Sequence, residues 1–173
     1  MTSGALHGFL TVWSDADATF GDGVPHGGRQ FDASADLRGM QAALRAADPG
    51  PDWTGAAADA YGAVHTEHRR VLGALAELDA RLAAQVEESA RIVSAGRDDL
   101  VALRQWVLDA AAGVPDTVAG QRLTLLIVQD GIDRIVDIVR RANGDLAVVG
   151  TELARLGELY RAVGEGLSLP SGD

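Results

Sequence analysis

The chain has 173 residues, 47% of them hydrophobic but only 5% aromatic, and a net charge of −10. That is enough chain to bury one sizeable core, built from Ala, Leu and Val rather than from rings. The acidity excludes nucleic acid and anionic membrane surfaces as ordinary partners, since both call for a concentrated basic patch.

There is no Cys, which removes disulfides, thiolate metal sites and thiol nucleophiles together. All 15 basic residues are Arg, a bias that points to a high-GC bacterial genome. Met1 to Leu10 carry no basic n-region and no apolar run of signal-peptide length, and no stretch of about 18 apolar residues offers a transmembrane segment.

Prolines at 25, 49, 51, 115 and 170 cut the chain into segments, because Pro is excluded from helix interiors. Segment 1–31 is expected to hold a short helix over Leu6 to Phe20 and then a Gly-rich loop from Gly21 to Gly28. In segment 32–48 a second helix is predicted over Ser34 to Ala47, where Leu37, Met40, Ala43 and Leu44 share a face and Ser34 or Asp32 serves as cap. Asp48-Pro49-Gly50-Pro51-Asp52 breaks that helix and sets Asp52 to cap the next one.

Segments 52–113 and 116–168 are free of internal Pro and rich in Ala, Leu, Glu and Arg, so each is predicted as one long helix of roughly 70 to 90 Å at about 1.5 Å per residue. A seam with steps of three and four runs from Tyr61, Val64, His68, Val71, Leu75, Leu78 and Leu82 on to Val107. It stutters where two four-residue steps meet across Leu78 to Val86. Ser89 and Gly96 are its weakest members. The last helix keeps strict alternation through Leu125, Val128, Ile132, Ile135, Val139, Ala142, Leu146, Val149, Leu153, Leu156, Tyr160, Val163 and Leu167, a heptad seam read as without one polar member and a surface for a partner helix. Gly144 and Gly113-Val114-Pro115 are the expected points of bending or turning. The fold class that follows is all-α: an elongated helical hairpin, four-helix-bundle-like, with two very long antiparallel helices in a single domain spanning 1–173.

No constellation for chemistry emerges. His65 and His68 lie three apart with Glu67 between them, but a zinc site needs three or four converging ligands. The expected arrangement is His68 hydrogen-bonded in the seam and His65 exposed. Asp130, Asp133 and Asp137 run beside Arg134, Arg140 and Arg141, and Glu87-Glu88 precede Arg91; both read as solvated faces with ion pairs of small value. Ser89 and Ser94 sit in mid-helix, and Gly21 to Gly28 lacks the Lys and the strand of a phosphate loop. No catalytic residue, cofactor or metal is therefore expected, and the chain reads as non-catalytic.

Trp53-Thr54-Gly55 follows the Pro-rich break directly and suits a tight corner between helices, with Gly allowing close backbone approach and Trp plugging the end. It opens the run Trp-Thr-Gly-Ala-Ala-Ala-Asp-Ala-Tyr, followed by Leu75-Ala76-Glu77-Leu78-Asp79 and Leu82. Over residues 6 to 112 this pattern resembles the N-terminal helical domain of EspA-like proteins of mycobacteria. Those are substrates of the ESX, or type VII, secretion system and distant relatives of its Trp-X-Gly helical-hairpin proteins. Past Pro115 the match is one of helical character alone.

The resemblance implies that Trp53 and Gly55 form half of a composite secretion signal, completed in the family by a partner's Tyr-X-X-X-Asp/Glu. That second half is missing here, because Tyr61 is followed four residues later by His65 and Tyr160 by Gly164. The implied protein is a secreted substrate or co-substrate, cytoplasmic before export and then secreted or held in the envelope. Its implied partners are a co-secreted helical chain bearing the Tyr motif, or a second copy, together with the secretion machinery or a chaperone. The competing expectation is a cytoplasmic helical adaptor that homodimerises through its heptad seams.

Overall fold

The computed structural model describes residues 2–48, 50 and 52–166, and these form helices and connections without a strand among the described residues. The helices are α1 (Thr2–Thr19), α2 (Ser34–Ala46), α3 (Ala56–Ala112) and α4 (Val118–Gly166), with a short 3-10 turn at Gly28–Phe31. Pro49, Pro51, the seam residue Leu167 and the end of the last predicted helix at 168 lie outside the described residues.

The two long helices have 57 and 49 residues and pack against each other. Their direction shows in the contacts, because rising numbers on α3 meet falling numbers on α4. Asp79 accepts from Tyr160 and Arg81 pairs with Glu152, while Asp99 pairs with Arg141 and Val107 lies against Gly131. The expected all-α fold with two long antiparallel helices is what the structure has.

Between them, Gly113 and Val114 close the end of α3 through bonds to the carbonyls of Asp109 and Ala111. Thr117 then caps α4, its hydroxyl accepting the Gly120 N–H at 3.0 Å and its carbonyl the Gln121 N–H at 2.8 Å. A short hydroxyl side chain at this place satisfies donors that have no partner inside the helix. Of the two expected points of bending or turning only this one interrupts a helix; α4 is continuous through Gly144.

Contacts along the chain group into two compact units. The first comprises Met1–His26 and Glu88–Val148. Its core joins Phe9 and Ala16 of α1 to Leu100, Leu103 and Val107 of α3 and to Val128, Ile135 and Ile138 of α4. Trp13 donates its indole N–H to the Leu100 carbonyl at 2.7 Å. Arg97 reaches from α3 to the carbonyls of Phe20, Gly21 and Gly23, so a guanidinium satisfies three acceptors of the loop that follows α1. Gly96 is the seat for Phe20, since a Cβ there would run into the phenyl ring. The position that looked weakest in the α3 seam is a socket.

The second unit comprises Gly27–Glu87 and Val149–Asp173. Val71, Ala76, Leu78 and Ala83 of α3 and Val149 and Leu156 of α4 are its buried apolar residues. Gly28 approaches α3 so closely that a Cβ would overlap the Ala83 carbonyl, and its N–H bonds to Glu87 Oε2 at 2.8 Å. At the start of α2, Asp32 Oδ1 accepts the Ser34 N–H at 2.9 Å, and its hydrogen bonds to Ser34 hold the Asp32 carboxyl below the usual range. Gln41 of α2 donates to the Arg69 carbonyl at 2.9 Å.

Candidate functional site

The segment leading into α3 has a defined geometry. The Trp53 N–H bonds back to the Gly50 carbonyl at 3.2 Å, and the Gly55 carbonyl accepts the Asp59 N–H at 3.0 Å, the first bond of α3. Gly55 has φ of 107°, a region that L side chains rarely enter. The helix thus starts at Ala56, four residues after Asp52, and Gly55 rather than Asp52 occupies the capping place. The reason for glycine is also not the expected one: nothing lies within 4 Å of a Cβ built there, so the position requires its dihedral angle and not close packing.

Trp53 packs edge-on against Tyr61, with centroids 5.1 Å apart at 62°. Tyr61 lies in turn over His65, with centroids 4.0 Å apart. Beyond His65, Asp48 sits 3.8 Å from its Nδ1 and pairs with Arg69. Tyr61, His65 and Arg69 follow one another at four-residue steps, which line them up on one helix face. The result is a continuous string from the Trp-X-Gly turn to the end of α2. Trp53 remains 45% exposed, so the ring is half packed and half presented to solvent and not a sealed plug.

The histidines are exchanged relative to expectation. His65 is buried, at 9% exposure, and His68 is exposed. The seam predicted from sequence runs through Tyr61, Val64 and His68, but Tyr61 and Val64 are exposed as well. At this end α3 meets α2 and the Asp48 segment along its 61/65/69 face, and the contacting neighbour decides which side is inward. His65 Nδ1 has no hydrogen-bond partner.

The seam of α4 is turned inward. Val128, Ile135, Ala142, Val149 and Leu156, seven residues apart, are buried, while Ile132, Val139, Leu146, Leu153 and Tyr160 are half-buried and Leu125 is 57% exposed. Most of the residues put forward as a partner-facing surface are therefore used inside the chain, because the α3/α4 hairpin supplies its own second helix. The same burial takes from the adaptor reading the seam surface through which it was to dimerise.

Tyr160 donates to the Asp79 carboxylate. Burial and this hydrogen bond push the phenol up from its usual value. Folding therefore keeps the proton on Tyr160, and stability falls with rising pH once the unfolded phenol begins to ionise near pH 10. In Tyr160→Phe the alkaline decline above pH 10 is expected to be shallower than in the parent, as read from urea denaturation at stepped pH.

Ion pairs cover the exposed faces: Arg134 with Asp130 at 2.9 Å, Arg140 with Asp137 at 3.3 Å and Arg91 with Glu88 at 2.5 Å. Arg91 lowers the Glu88 carboxyl as Arg70 lowers that of Glu67. Exposed pairs of this kind add little stability. Glu87 differs from its neighbour, since it leaves the helix face to bind the Gly28 N–H. Among the described residues no three His, Asp or Glu side chains gather where a metal could bind, and no helix is long and apolar enough to cross a membrane.

Neither the curated proteins nor the solved structures give a match to this chain. Residues 20–102 match the model of the EspA/EspE family, from the end of α1 through α2 and the Trp53 turn into α3, and over that stretch the chain is similar to EspA-like proteins.

Proposed function

We propose that this chain is a substrate or co-substrate of a type VII secretion system that travels as a folded helical protein and works by binding a partner, without catalysis. The observation that carries the reading is the position of Trp53 and Gly55 inside the family match. The turn is held by its own backbone bonds and by a glycine at φ 107°, and it leaves half of an indole ring open. A half-exposed Trp on a fixed backbone is a typical anchor for a partner surface. The partner expected is a co-secreted helical chain that supplies the Tyr-X-X-X-Asp/Glu half of the signal, for Tyr160 is engaged with Asp79 and is followed by Gly164.

The test is export. The protein is expected in culture filtrate, and deletion of the secretion ATPase is expected to remove it. Retention wholly inside the cell, with the protein stable there, would sink the reading. Trp53→Ala is expected to lower export several-fold, while the loss of one half-exposed ring contact costs stability only about 1 kcal/mol. Circular dichroism on the same variant separates the two effects. Unchanged export would mean that Trp53 is a packing residue only.

A further inference from the structure

We infer that the groove between α1 and α4 in the first unit is a self-association surface that takes a second copy of this chain. The groove has a volume of about 520 Å³ and is lined by Val12, Asp15 and Ala16 on α1 and by Val136, Val139 and Arg140 on α4. Ala16 is buried, whereas Val12 is 37% and Val136 45% exposed. A small residue thus forms a hollow between two aliphatic walls, the shape into which an aliphatic knob packs.

Charge decides what fills it. At a net charge of −10 most of the surface repels another copy. The lining of this strip holds one acid, Asp15, and one base, Arg140, on opposite rims. Among the described residues Arg140 pairs with Asp137 at 3.3 Å, with both side chains largely exposed, so that pair is weak and readily exchanged. A two-fold rotation about an axis through the middle of the groove swaps the rims. It lays Asp15 of each copy on Arg140 of the other, with the two apolar strips face to face. The surface is complementary to itself, which is what an isologous dimer demands. It is a different surface from the α4 seam, and it does not depend on export.

The purified full chain is expected to show a concentration-dependent monomer–dimer equilibrium in sedimentation velocity. Val136→Asp, at a position open to solvent in the monomer, is expected to leave the circular dichroism spectrum unchanged and to weaken dimerisation by about tenfold or more, since the substitution acts twice in a symmetric dimer. Asp15→Arg alone and Arg140→Asp alone are each expected to do likewise. An equimolar mixture of those two variants is expected to associate again, because both rim contacts are then acid against base. A chain that stays monomeric at every concentration overturns the inference. So does a dimer indifferent to Val136→Asp, or a mixture no better than its components.

Discussion

Phe9→Ala is expected to lower the stability of the first unit by about 3–5 kcal/mol, the range for a fully buried Phe truncated in a core. Phe9 has no exposure and lies where all three helices of that unit meet. A Cβ on Gly131 would come within 2.9 Å of its ring and 2.7 Å of Val107, so α4 is shaped to receive it. The residues clustered with Phe9, among them Leu100, Val107, Val128 and Ile135, are carried on helices packed against one another, so the void closes only in part. Against a total stability of about 5–15 kcal/mol, such a loss is a large fraction. Hydrogen exchange is the measurement to use, with protection expected to fall first in α1 and then around Leu100 to Val107 and Val128 to Ile138. An unchanged midpoint in urea would mean that α1 is not docked as described.

Gly28→Ala is the second large effect, expected at about 1–3 kcal/mol and near the upper end of that range. The added methyl would strike the Ala83 carbonyl, which is backbone inside a long helix and cannot rotate away as a side chain can. The short turn would have to lift off α3, losing its bond to Glu87 Oε2 as it goes. The control is Gly39→Ala in α2, where nothing lies within 4 Å of the new carbon. There the better helix propensity of Ala should stabilise by up to about 1 kcal/mol. If both substitutions behave alike in thermal unfolding, the close approach at Gly28 is wrong.

The long helices were legible because their pattern is strong. In α4 the heptad fixed the inward side, and every seventh residue from Val128 to Leu156 is buried. The α3 pattern served less well before its stutter, where Tyr61, Val64 and His68 are exposed, than after it, where Gly96, Leu100, Leu103 and Val107 are buried. Around the stutter the buried face also takes in Ala76, Ala83 and Ile92, none of which stood in the row read from sequence. Periodicity also cannot say what lies opposite a seam. It marked the α4 row as apolar, but the antiparallel neighbour that covers it is a matter of tertiary structure.

Long-range fits were the least visible. The pairing of Phe20 with Gly96, and of Phe9 with Gly131, joins residues remote in sequence, and each member taken alone looks like a defect or an ordinary apolar residue. The hold of Arg97 on the loop after α1 is hidden for the same reason. At the Trp53 turn the sequence marked the right residues, since Pro and Gly punctuate so strongly. It missed the string behind them, although the four-residue steps Tyr61, His65 and Arg69 were there to be read. The stronger heptad pattern farther along α3 drew the phase toward His68.

The antiparallel pairing of α3 and α4 also orders events in time. Bringing Val107 to Gly131 closes a short loop around the Thr117 cap, while joining Asp79 to Tyr160 closes one of 81 residues. Closure entropy rises by only about 0.6 kcal/mol per doubling of loop length, yet the short closure needs nothing else in place. A chain that nucleates at that turn is expected to zip outward from it. Trp53 precedes α3 and is remote in sequence from that turn, so in pulse-labelled hydrogen exchange the start of α3 at Ala56 is expected to gain protection after the residues around Leu100 to Val107.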